Sequence, residues 1–251
     1  MSNAVSICST ADAYHPFLDM WLNDKIDNYD KFVIIDITKN KSFDKGFVFT
    51  ENDLRKRLKF NHDVSKKHYW NSYGNRNITW FFAHLRMLNL YLDYPDYDYY
   101  WFFDDDVKID DWSDFLNNVD KDTSDFISYF VFKDKGVISQ PNIPEIDNRT
   151  TSQHMWFERF PGDGDTLPKD IIEYFGSFFP TTRYSNKAMS KLLELNNDNY
   201  FGYSEGFVPT MLNKLGMSLN TLIKSDNTSD LFDNKSNKVY HKNSIIDWEW
   251  V

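Results

Sequence analysis

An α/β fold built on a mainly parallel sheet is what this sequence predicts, on three observations. A strand, a helix and a second strand follow one another within about forty residues, the spacing of a βαβ unit. The second of these strands, Lys31–Thr38 (KFVIIDIT), is continuously apolar in its middle, as parallel strands buried on both faces are. A third strand, Tyr99–Phe103, runs straight into Asp104, Asp105 and Asp106. Open α/β sheets bind their ligands at the carboxyl ends of the strands, where these acids fall.

The first strand is Ala4–Ser9 (AVSICS), and the helix after it spans Tyr14–Leu22, with Phe17, Leu18, Trp21 and Leu22 at helical spacing. The charged segment Asn52–Lys67 has no decisive period. Tyr69–Asn77 (YWNSYGNRN) reads as a loop that turns at Gly74 and Asn75. In the next helix Phe81, Leu85, Leu88 and Leu92 form one apolar stripe, Arg86, Asn89 and Asp93 lie mostly off it, and Pro95 stops it. Strands are expected over Phe126–Phe132 (FISYFVF) and Phe175–Pro180. Between them, Lys133–Asp170 is rich in Pro, Gly, Asn and Asp and contains His154 and Trp156. A connection of that length in a compact domain is usually functional. Ser185 is expected to N-cap a helix carrying Met189, Leu192 and Leu193. Ser204 is expected to cap the following one, with Glu205 in its first turn, Pro209 inside it and Gly216 ending it. Residues Ser225–Ser244 are polar apart from Leu231, Phe232, Val239 and Tyr240, the composition of a segment that orders on a ligand.

Composition removes several function classes. The formal net charge of −10 disfavours a nucleic-acid surface, which needs clustered Lys and Arg. One cysteine, Cys8, allows neither a disulfide framework nor a thiolate zinc site. No run approaches the ~20 apolar residues of a spanning helix. The first residues carry neither the basic nor the apolar region of a signal peptide. A cytoplasmic chain with no transmembrane segment is therefore expected, with peripheral membrane association as the variant of that reading.

The acidic cluster carries the chemistry. Asp104 and Asp106 are two apart, so with a local turn both can face one cation while Asp105 points elsewhere. Mg²⁺ and Mn²⁺ take carboxylate oxygens and share substrate phosphates. A leaving diphosphate develops negative charge that a divalent ion stabilises. A solvated acidic turn is the plainer reading of the same residues. A calcium EF-hand is excluded, because Ile109 and Phe115 stand where its Gly and Glu would be.

Strand, helix and strand, then a helix, then an aromatic strand into D-x-D resembles the GT-A glycosyltransferases, which are nucleotide-sugar-dependent. A later acid at a helix start, Glu205 in YSEGFVPTML, and a late histidine, His241, follow in the order of that family. The resemblance implies a Rossmann-like, mixed but mainly parallel sheet flanked by helices in a single domain, 1–251, with irregular acceptor-side loops. Residues 1–132 would form the nucleotide-sugar half, and residues 133–251 the acceptor half and a C-terminal lid. It implies Asp104 and Asp106 as ligands of Mn²⁺ or Mg²⁺, joined by His241. Asp105 would contact ribose or sugar, Ser9 and Thr10 would lie near the base and ribose, and Arg76 or Arg86 would touch phosphate or sugar. Glu205 would be the catalytic base of an inverting transfer, from a UDP-sugar to a carbohydrate or glycolipid acceptor in surface polysaccharide or glycoconjugate synthesis. A carboxylate that merely caps a helix and a surface histidine are the alternatives for Glu205 and His241. Two other functions compete for the whole chain. One is a phosphohydrolase resembling the haloacid dehalogenases, with Asp104 as nucleophile; the other is an inactive sugar- or nucleotide-binding domain.

Overall fold

A computed structural model of the chain describes residues 2–10, 16–23, 26–39, 43, 45–60, 82–105, 107–109, 111–129, 131–133, 166–177, 179–222, 239–241 and 244–245. Chain order begins β1 (Asn3–Thr10), α1 (Pro16–Asn23), β2 (Tyr29–Asp36), β3 (Phe47–Phe49), α2 (Glu51–Arg57), α3 (Ala83–Asp93), β4 (Tyr99–Asp104), β5 (Val107–Ile109) and α4 (Trp112–Val119). It continues with β6 (Phe126–Ser128), β7 (Val131–Lys133), β8 (Phe175–Ser177), β9 (Thr181–Ser185), α5 (Asn186–Asn197), α6 (Ser204–Lys214), β10 (Leu219–Thr221), β11 (Val239–His241) and β12 (Ser244–Ile245).

The main sheet has seven strands in the order β10-β6-β9-β4-β1-β2-β3. Its neighbours are parallel except at β9, which runs antiparallel to both β4 and β6. This is the mixed, mainly parallel, Rossmann-like sheet flanked by helices that the sequence predicts. The continuous apolar runs have a simple cause: successive side chains enter different cores. Ala4, Cys8, Ile34, Tyr100 and Phe102 join one core with residues of α2, α3, α5 and α6. Val5, Ile7, Val33, Ile35, Trp101 and Phe103 join the other with Leu18 and Trp21 of α1 and Phe115, Leu116 and Val119 of α4.

Several local expectations hold. The Ser185 hydroxyl accepts the Ala188 N–H and caps α5. Helix α6 ends in a Schellman turn, with Met217 N–H bonded to Leu212 C=O, Gly216 N–H to Asn213 C=O, and Gly216 at φ +71°. Other expectations are corrected. The run Phe126–Phe132 is two strands, β6 in the main sheet and β7 paired with β8 outside it. The ambiguous segment holds α2, started by a capping box between Thr50 and Asp53. Helix α3 is buried on every side from Ala83 to Tyr91, Arg86 and Asn89 included, so its apolar stripe understates how much of it is covered.

Beneath the sheet's other end lies a buried cation. Arg183 of β9 is fully buried and donates to the carbonyls of Val119, Asp122 and Ser124 and to the Asp122 carboxylate. Its guanidinium also lies 4.3 Å from the Tyr99 ring centroid.

Candidate functional site

The carboxyl ends of β1, β2 and β4 meet at one edge. In register, Thr10 lies opposite Asp36, and Cys8 opposite Asp104. The chain turns as soon as β4 ends. Asp104 N–H bonds to Pro180 C=O and Asp105 N–H to Cys8 C=O, so both backbones are fixed to neighbouring strands' ends. Their side chains then diverge. Asp104 Oδ1 accepts from Arg86 Nη2 at 3.1 Å, and Asp105 Oδ2 accepts the Ser9 hydroxyl.

Arg86 reaches Asp104 from α3, and its side chain is 10% exposed. That contact places it beneath the acidic corner as a fixed counter-charge. Ser9 is buried, whereas Thr10 at the tip of β1 is exposed. Cys8 lies between these groups, and burial above all, with the fields of Asp104 and Asp105, pushes its thiol up to about 12 against the opposing field of Arg86. It stays protonated and inert.

Asp36, which ends β2, also belongs at this edge, although in the sequence it falls inside the expected strand Lys31–Thr38 and draws no role. It is buried, and it accepts the Thr38 N–H at 2.8 Å and the Thr38 hydroxyl at 2.5 Å. An acid ending the second strand of a βαβ unit was the available signal, since that position meets a ribose in dinucleotide folds.

Glu205 comes from the far side, in the first turn of α6. Ser204 does not cap the helix as the sequence suggests. The N-cap is Tyr203, without a side-chain bond. The Ser204 hydroxyl instead meets α3, accepting the His84 N–H at 3.2 Å and lying 2.8 Å from His84 Nδ1. His84 stacks on Phe207 at 5.3 Å between centroids, so α6 is pinned to α3 at its start. Pro209 has no N–H for the Glu205 carbonyl four residues earlier. The Ser177 hydroxyl takes that place at 3.3 Å. The Glu205 side chain accepts the Tyr203 hydroxyl at Oε2 and the Phe179 backbone N–H. The turn Phe179–Pro180 therefore holds both acids, Glu205 through one residue and Asp104 through the next.

Burial, aided by the field of Asp104, raises the Glu205 carboxyl from its ordinary 4.5 to about 7, against the two hydrogen bonds that favour its ionised form. A group raised in this way gives stability that is complete below about 4.5 and lost as pH rises through about 7. His84 has the opposite sign. Burial lowers its imidazole to about 3, so its contribution is present above 6.5 and lost as pH falls toward 3. Glu205→Gln removes only the first slope. Relative to wild type, the variant is expected to gain on the order of 2–3 kcal/mol as pH rises from the lower to the upper limit of the Glu205 window. Urea midpoints of the two proteins across that range measure it; a constant difference would exclude a raised carboxyl.

Among the described residues no group of three or more His, Cys, Asp or Glu side chains forms a metal cage. Of the acids expected to hold a cation, the Asp104 side chain is described, and Mg²⁺ or Mn²⁺ is commonly held by one or two carboxylates with water and substrate phosphate completing the sphere. Asp106 and Arg76 lie outside the described residues, as do His154 and Trp156. For His241 the backbone is described: β11 pairs antiparallel with β5, placing His241 opposite Val107, the residue after Asp106. The expected strand-like end at Val239 and Tyr240 is this strand, while residues 223–238 lie outside the described set.

Among the described residues no helix is long and apolar enough to cross a membrane. No protein-family model and no curated protein matches the chain. Among solved structures, one similar to it is residues 1–349 of TarS from S. aureus in complex with UDP-GlcNAc, at 15% identity and a TM-score of 0.39. The match covers 90% of this chain and 56% of that one, so the chain spans little more than half of the neighbour.

Proposed function

We propose that this chain is a metal-dependent glycosyltransferase that moves a sugar from a nucleotide diphosphate, UDP foremost, to a carbohydrate or glycolipid acceptor, as in surface polysaccharide or glycoconjugate synthesis. One observation carries the reading: the single turn Phe179–Pro180 holds the buried Glu205 carboxyl and the end of β4 at Asp104, so a candidate base lies beside the acidic corner. A base near neutrality and carboxylates for a hard cation are the two requirements of such a transfer.

Asp104 and Asp106, with His241, would hold Mn²⁺ or Mg²⁺, which when bound stabilises the charge developing on a diphosphate. Arg86 holds Asp104 in place. Ser9 fixes Asp105, which would contact ribose or sugar, and Ser9, Thr10 and Asp36 would lie near the base and ribose. Arg76 is assigned a phosphate or sugar contact. The Glu205 carboxylate accepts the proton of the acceptor hydroxyl as that oxygen bonds to the anomeric carbon. The bond from this carbon to the diphosphate oxygen breaks, and its electron pair leaves with the diphosphate. One displacement of this kind inverts the anomeric centre. Residues 1–132 then serve the donor, and residues 133–251 the acceptor and closure of the site.

The test is thermal unfolding with UDP, with Mn²⁺, and with both. The midpoint is expected to rise with the pair and little with either alone, because a ligand that binds the native state stabilises it. Equal stabilisation by UDP in EDTA would remove the metal. Hydrolysis of simple phosphate esters without nucleotide binding would select the phosphohydrolase instead.

A further inference from the structure

We propose that Tyr203 is a positioning residue for Glu205, its phenol hydroxyl holding Oε2 so that the carboxylate is fixed in one orientation and stabilised in the form that accepts a proton. The role of Glu205 as proton acceptor rests on the glycosyltransferase reading above; the control that Tyr203 exerts on it is separately measurable.

Three independent contacts already immobilise the Glu205 main chain and its surroundings. Ser204 is joined to His84 of α3, the Glu205 carbonyl is bonded by Ser177 of β8, and His84 packs on Phe207. The side chain still has free rotation about its own bonds unless its oxygens are held. Two donors hold it, the Tyr203 hydroxyl and the Phe179 N–H. The Phe179 N–H belongs to the backbone, so among the described residues Tyr203 is the side-chain donor to this carboxyl. Tyr203 is itself 3% exposed, and its ring is packed in the core beside α3 and α6. A rigid aromatic donor has two side-chain torsions to fix, whereas a longer polar chain would have more. The charged group acting on Glu205 from a neighbouring element is Asp104 of β4, whose field opposes ionisation. The hydroxyl of Tyr203 acts in the other direction, since a hydrogen bond to a carboxylate favours the charged form. Tyr203 thus sets how much of Glu205 is ionised near neutrality by acting on the carboxylate itself.

The test titrates the protein itself. Wild type, Tyr203→Phe and Glu205→Gln are prepared with ¹³C-labelled Glu carboxyls, and the resonance missing in Glu205→Gln identifies Glu205. In Tyr203→Phe its midpoint is expected to rise so that proton affinity grows about tenfold, with the other glutamates unmoved. The acid limb of any UDP-sugar turnover should move to higher pH by the same amount, a change that loss of packing alone would not produce. A second variant guards against poor folding: a fluorinated tyrosine at position 203 keeps the ring and has a more acidic hydroxyl, so the Glu205 midpoint should fall. An unmoved midpoint in either folded variant overturns the proposal. Shifted midpoints in a protein that binds no UDP with Mn²⁺ would leave Tyr203's control of Glu205 standing and remove the transfer reaction.

Discussion

Glu205→Gln is expected to lower sugar transfer by about 10²–10⁴-fold while leaving donor affinity nearly unchanged. The substitution is close to isosteric. The glutamine oxygen can still accept from Tyr203, and the first turn of α6 keeps its ties to Ser177 and His84. Basicity alone is lost, and the interaction removed exists only as the acceptor proton departs. Wild-type turnover should climb through neutral pH as the carboxyl, held at about 7, ionises, and the residual rate of the variant should not follow that limb. Nucleotide release from UDP-sugars, measured beside calorimetric donor binding, separates the two parameters. Near-wild-type transfer by the variant would make Glu205 a structural carboxyl and favour a retaining route.

The second large effect concerns stability and lies away from this edge. Arg183→Met is expected to cost about 3–5 kcal/mol of unfolding free energy, although the two side chains are similar in volume. Three carbonyls, of Val119, Asp122 and Ser124, and the Asp122 carboxylate would lose their shared donor in a dry site. Burial already opposes the charge on Arg183, so the cation persists because its partners are pre-arranged around it. Arg183→Lys should recover little, because one ammonium cannot reproduce a planar fork that serves several acceptors and lies against Tyr99. Denaturant midpoints for the three proteins decide this. A loss below about 1 kcal/mol would mean that the cluster relaxes around the missing charge.

What the sequence made legible was whatever depends on local pattern. The strands β1, β2 and β4 announce themselves because residues facing two cores leave no polar alternation. The helix-start position of Glu205 and the stop at Gly216 follow from short-range backbone chemistry. Strand β9 was not legible. TTRYS is polar by composition, yet all five residues are buried, because the guanidinium of Arg183 finds its acceptors in a loop some sixty positions earlier. The antiparallel direction of β9 between β4 and β6 has no compositional trace either. Ser204 looks like a cap in sequence, and only the arrival of His84 from another helix redirects its hydroxyl. Nothing in the sequence tells that α3 sets Arg86 against Asp104. The capping box at Thr50 and Asp53 was readable as T-x-x-D, an acidic variant of the usual pattern.

The pairing of β5 with β11 has a consequence for how the chain is made. The first strand of the pair leaves the ribosome more than a hundred residues ahead of its partner, an interval of roughly six to twenty-six seconds at ordinary rates of synthesis. Throughout that time the backbone just beyond the acidic corner lacks the neighbour it has in the finished fold. The parallel strands β1, β2, β3 and β4 can associate far earlier, since every one of them precedes β5. A nascent chain can therefore assemble the parallel part of its sheet well before β5 is paired with β11. A chain stalled before β11 would carry these parallel strands with β5 still lacking that partner.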